Sequence, residues 1–272
     1  MQDEENRTDD ELLEAAEKAY VECDFPRAAE LLERVDPSHP DRYLYEAHLR
    51  CEEREWESCE EALRRAEELV GADDPHYLYT RARSAAAFWE LKVADKALDR
   101  LWDVGIPDAL RKDVLLLQAN LAELKGQYQV SDALWNDFVK EFPEEGPAPP
   151  RLSPDAFLDV VRDAAAKLPE EFRGVLDQVG VIVEPIPSAE TPGVPLSALR
   201  TDLLGLYQGM DLADYAEVSG EVPPRIYLFQ RNLEAAARDR QHLIEEIHVT
   251  LYHELGHALG FDEDEVDEMG LG

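Results

Sequence analysis

From about residue 9 to residue 143, apolar side chains recur three and four positions apart and never settle into strict alternation. That is the period of helices that each bury one face. Proline-containing breaks at Asp36-Pro37, Asp74-Pro75, Ile106-Pro107 and Phe142-Pro143 divide the stretch. Their spacing lies near the ~34 residues of helix-turn-helix repeats, and four helix pairs are predicted. An aromatic residue near the start of the second helix is followed three positions on by a small one: Phe25 with Ala28, Trp56 with Cys59, Tyr128 with Ser131. A bulky side chain beside a small one lets neighbouring helices pack closely. The third pair, around Leu91 to Trp102, lacks the aromatic.

The run Glu144-Glu145-Gly146-Pro147-Ala148-Pro149-Pro150-Arg151 ends this pattern, because clustered prolines cannot continue a helix and they stiffen the chain. The expected organisation is an all-α helical-repeat domain over 1–145, a proline-rich linker over 146–153 and a small α+β domain over 154–272. Ser153-Pro154 supplies an N-cap and a first-turn proline for a helix to about Lys167, with Phe157, Val160, Val161 and Ala164 on one stripe. The period then changes. Val181 to Val183 within Gly180–Glu184, Leu203 to Tyr207, and Arg225 to Phe229 read as strands. A proline-laden loop, Pro185 to Pro195, separates the first two, either a connection or a lid over a substrate. Helical spacing returns from Asn232 to about Arg238 and from Arg240 to Leu259.

That last helix carries His253-Glu254-Leu255-Gly256-His257. Two imidazoles four residues apart share a helix face and can hold one metal ion. Glu254 lies about 100° around the helix from His253, near enough to take a proton from a water at the metal without displacing a ligand. Zinc with nitrogen ligands and an open position suits this set, and the chemistry expected is peptide hydrolysis. Gly256 permits close backbone approach, and Gly260 offers a C-cap at which the chain turns back. Only fifteen residues follow His257, so the third ligand is expected from the acidic tail. Glu263 stands at the last position of a His-Glu-x-x-His-x-x-Gly-x-x-ligand pattern, with Asp262 or Asp264 as alternatives. Asp262-Glu263-Asp264-Glu265 also reads as a capping box with Asp262 at the N-cap and Glu265 at the third position, which favours Glu263 for the metal. Groups able to stabilise an oxyanion must come from upstream, among them Tyr207, Tyr215, Tyr227 and His248.

Charge narrows the partners. With 61 acidic against 27 basic residues the formal charge is -34, which repels phosphate backbones and anionic membrane surfaces. Neither nucleic acid nor membrane is an expected partner. Cys23, Cys51 and Cys59 are an odd number without Cys-x-x-Cys spacing, so reduced thiols are expected rather than a disulfide framework or thiolate metal site. The start of the chain has no apolar core and no stretch approaches the ~20 apolar residues of a membrane span. A cytoplasmic location is the expectation.

Two resemblances add to these readings. Asp24-Phe25-Pro26-Arg27-Ala28-Ala29-Glu30-Leu31-Leu32 and Gly126-Gln127-Tyr128-Gln129-Val130-Ser131-Asp132-Ala133-Leu134 resemble the tetratricopeptide repeat family. That likeness implies a stacked array with a groove for a peptide or partner protein. Arg225 to Leu233 and Val249 to Phe261 resemble the small zincin-like metallopeptidases of bacteria, a likeness extending over about residues 155 to 272. It implies a minimal zinc domain that ends soon after the motif, commonly with an aspartate as third ligand. Together they suggest a zinc metallopeptidase, Glu254 its base and His253 and His257 its ligands, whose repeats recruit the peptide or protein substrate. The alternative is an adaptor with a structural or non-catalytic zinc-binding domain.

Overall fold

The computed structural model describes residues 7–168, 170–176, 178–188, 199–209, 223–262 and 265–266. The chain divides into two compact units, Met1–Leu134 and Trp135–Gly272. The first is helical: α1 (Asp9–Val21), α2 (Phe25–Arg34), α3 (Pro40–Glu52), α4 (Trp56–Val70), α5 (Pro75–Ala87), α6 (Leu91–Val104), α7 (Asp108–Leu124), and the start of α8 (Tyr128–Glu141). Prolines open α3 and α5, where a missing N–H costs nothing. The side chains of Thr8, Asp24 and Asp74 cap the helices that follow them.

The helices are joined two by two through three-residue turns of one geometry. The middle residue of each turn is left-handed: Cys23 at φ 59°, Arg54 at 59°, Trp89 at 65° and Gly126 at 69°. In every turn the next residue's N–H reaches back five positions, from Asp24 to Ala19, Glu55 to Arg50, Glu90 to Ala85 and Gln127 to Ala122. This closes the orphan carbonyls at the end of the first helix. Two residues past each left-handed corner the second helix begins, at Phe25, Trp56, Leu91 and Tyr128. Three further on lie Ala28, Cys59, Ala94 and Ser131, all buried. The third pair therefore keeps the register, with Leu91 where the others place an aromatic.

The second unit contains the end of α8, α9 (Pro154–Lys167), α10 (Glu170–Leu176), β1 (Gly180–Glu184), β2 (Gly205–Gln208), β3 (Arg225–Phe229), α11 (Gln230–Ala236) and α12 (Arg240–Ala258). The three strands form a mixed sheet in the order β1-β3-β2. β1 runs parallel to β3, with Val183 opposite Leu228, and β2 runs antiparallel to it, with Gly205 opposite Leu228. One face of the sheet is covered by α9 and α12. Ile226 and Leu228 of β3 pack there with Phe157, Val160, Val161 and Ala164 of α9 and with Leu243, Ile247, Leu251 and Leu255 of α12. Each of those α12 side chains is fully removed from water, a burial that contributes roughly 2 kcal/mol per residue. Tyr227 and Phe229 alternate to the other side of β3, are buried too, and stack with centroids 6.4 Å apart.

A buried carboxylate ties this unit together. Glu234 on α11 is wholly enclosed and accepts from Arg151 Nη1 at 3.1 Å, the Leu152 N–H at 2.9 Å and Gln230 Nε2 at 2.8 Å. Gln230 also donates to the Leu152 carbonyl. Among the described residues no helix is long and apolar enough to cross a membrane.

Candidate metal centre

α12 presents the motif because its two ends are fixed. At the N-terminus Asp239 accepts from the His242 N–H at 2.9 Å, and that bond holds its carboxyl below the usual range. At the C-terminus Gly260 adopts φ 90° and the Phe261 N–H closes on the Gly256 carbonyl at 3.1 Å. This places the Phe261 carbonyl 3.0 Å from His257 Nδ1. A carbonyl only accepts, so Nδ1 carries the proton and Nε2 keeps its lone pair.

The two Nε2 atoms of His253 and His257 converge to 3.0 Å, the rings standing edge to face at 80°. Two nitrogens bound at ~2.0–2.1 Å in a tetrahedral shell lie roughly 3.3 Å apart, so the pair fits a zinc ion. Glu254 projects beside them on the side turned towards β2 and is only 6% exposed. Its neighbour one turn earlier, Thr250, is buried at the same strand. Gly205 leaves the room: a β-carbon there would lie 2.7 Å from Glu254 Oε1.

Asp262 does what the capping-box pattern predicts. Its Oδ1 accepts from the Glu265 N–H at 3.0 Å, and its own N–H donates to Glu265 Oε2 at 3.1 Å. Glu263 and Asp264 lie outside the described residues. Among the described residues no group of three His, Cys, Asp or Glu side chains comes together around a metal position. Val266 packs over Gly256.

Residues 176–272 match the family model of the zincin-like metallopeptidases. No curated protein matches the chain. The matched region takes in the three described strands, α11 and α12, whereas α9, which fills the same core, lies upstream of it.

Of the upstream groups expected to face an oxyanion, Tyr227 points to the sheet face opposite α12. His248 sits on α12 within the influence of Lys167 and Asp163 at the end of α9, where burial lowers its pKa. Tyr215 is outside the described residues. Tyr207, on β2, packs against the core beneath α12. Helical spacing places Thr250 one turn from Glu254, but the motif alone does not reveal Gly205 as their neighbour. The one signal in the sequence is a glycine inside a strand, which marks close approach of another element.

Proposed function

We infer that the zincin-like unit is a zinc-dependent metallopeptidase with His253 and His257 as ligands and Glu254 as the proton-transferring group. The observation that carries this is the 3.0 Å convergence of the two Nε2 atoms beside a nearly buried carboxylate. Zinc, when bound, supplies Lewis acidity towards a water and a substrate carbonyl. Glu254 then accepts the proton of the attacking water and returns it to the leaving amine nitrogen. Its burial against β2 holds the carboxylate in one place. Phe261, through its carbonyl, fixes the tautomer and plane of the His257 ring. Glu263 completes the ligand set in this reading, with Asp262 or Asp264 as alternatives; Asp262 Oδ1 also accepts from the Glu265 N–H.

The helical unit is proposed to recruit a peptide or protein partner as a tetratricopeptide-like array. In support, its four pairs share one turn geometry, and the first helices of three pairs share one part-buried polar cluster. There Tyr20 of α1 donates to Glu52 of α3 at 2.8 Å and accepts from Arg83 of α5 at 3.1 Å. Zinc-loaded full-length protein, incubated with a broad peptide library, tests the enzyme reading. Hydrolysis is expected, and Glu254→Gln is expected to lower it by about 100-fold or more with zinc still bound. Zinc bound tightly by the unaltered chain with no peptide cut would overturn the peptidase and leave the adaptor.

A further inference from the structure

We propose that Gly205 is a positioning residue for Glu254: the side chain it lacks is the slot in which the carboxylate rests. The proposal stands on the reading of Glu254 as the proton-transferring group and assigns a role to a strand residue far from it in sequence. Three distances carry it. A β-carbon on Gly205 would lie 2.7 Å from Glu254 Oε1, 2.9 Å from Glu254 Cγ and 2.6 Å from Thr250 Cγ2. All three are shorter than any β-carbon tolerates, so a side chain at 205 and the present position of Glu254 exclude each other.

The slot lies between β2 and α12. Gly205 is itself buried, and its strand is tied laterally to β3, with Gly205 opposite Leu228. α12 is held on the other side by Ile247, Leu251 and Leu255, each with no exposure. A larger residue at 205 therefore acts first on the side chains nearest it, Thr250 and Glu254. None of the three atoms nearest that β-carbon belongs to His253 or His257. Gly205 thus governs where the base sits without governing where the metal sits.

The experiment separates this role from simple helix-strand packing. Thr250→Ser removes the methyl that the new β-carbon would also meet, and Gly205→Ala is then introduced in that background. Hydrolysis of fluorescein-labelled casein by the zinc-loaded full chain is expected to fall by about tenfold or more, while zinc affinity, read by competition with a chromophoric chelator, stays unchanged. The thermal midpoint gives a readout that needs no activity. Gly205→Ala lowers it when Glu254 is present and leaves it unchanged when Glu254→Ala has emptied the slot. An equal drop in both backgrounds, or zinc affinity falling in step with hydrolysis, overturns the proposal. If Gly205→Ala prevents folding with Glu254 present, folding of the same change with Glu254→Ala supports the slot, and failure there too overturns it. Absence of casein hydrolysis by the unaltered chain counts against the peptidase alone, because the thermal comparison still decides the slot.

Discussion

Val266 fills the space left by the missing side chain of Gly256, so that a β-carbon at 256 would meet Val266 Cγ2 at 2.8 Å. Replacing glycine by alanine inside a helix ordinarily stabilises by about 1 kcal/mol. Here the sign should reverse. Gly256→Ala is expected to lower unfolding stability by about 1 kcal/mol or more, since Val266 is buried and stiff. Adding Val266→Ala should recover part of the loss. Urea unfolding of the three variants checks both statements, and a stabilised Gly256→Ala would show that the tail does not pack there.

Glu234 gives a second expectation. Its carboxylate has no exposure and holds Arg151, Leu152 and Gln230 at once. Glu234→Ala leaves the Arg151 guanidinium and the Leu152 N–H without that acceptor, a change that costs about 3–5 kcal/mol when a buried pair is broken. Denaturation followed by tryptophan fluorescence measures it. A loss below about 1 kcal/mol would mean that water replaces the carboxylate.

Much of this unit is legible in the sequence, and the exceptions have physical causes. α9, β1 and β3 fall where period and capping residues place them, because each carries a local signal. α11 starts at Gln230 rather than Asn232, since the Gln230 side chain is held by Glu234 and the Leu152 carbonyl, partners no local pattern announces. β2 runs Gly205–Gln208 instead of Leu203 to Tyr207; its pairing with β3 sets its limits, and a glycine is a poor strand former alone. α10 spans two turns and carries no periodic signal of its own, as helices so short owe their stability to packing. At the candidate site, the convergence of His253 and His257 and the placing of Glu254 beside them follow from helical spacing, whereas the room at Gly205 depends on a strand paired elsewhere in the chain.

The left-handed turns make a paired prediction. Cys23 is exposed at φ 59°, so Cys23→Gly relieves strain and should gain about 0.5 kcal/mol net of unfolded-state entropy. Arg54 has the same backbone angle, yet its Nη1 donates to the Ala87 carbonyl at 2.8 Å and its guanidinium lies over the Phe88 ring at 4.5 Å. Arg54→Gly should therefore destabilise by about 1 kcal/mol. Melting curves of the two variants, compared with the parent, should move in opposite directions.

Acid should weaken the helical unit through His48. Burial of its ring, with Arg83 nearby, pushes it down to about 3 from an ordinary 6.5, and its Nε2 has no partner among the described residues. Between those values the unfolded chain binds the proton and the folded chain does not, so stability is full above pH 6.5 and declines as pH falls towards about 3. His48→Leu should flatten that decline. Chemical denaturation of both proteins at neutral pH and at about pH 4.5 reads the difference; parallel slopes would exclude His48 as the source.

The four corners of the helical unit are fastened by main-chain groups, so the chain spends no particular side chain to make a bend. Cysteine, arginine, tryptophan and glycine all occupy the same corner. Letter by letter the repeat is blurred, while the hydrogen-bonded skeleton beneath it is regular. One practical result is that a new pair could be spliced in at such a corner by copying its backbone bonds and the bulky-then-small step that follows, with little regard to the residue at the bend itself.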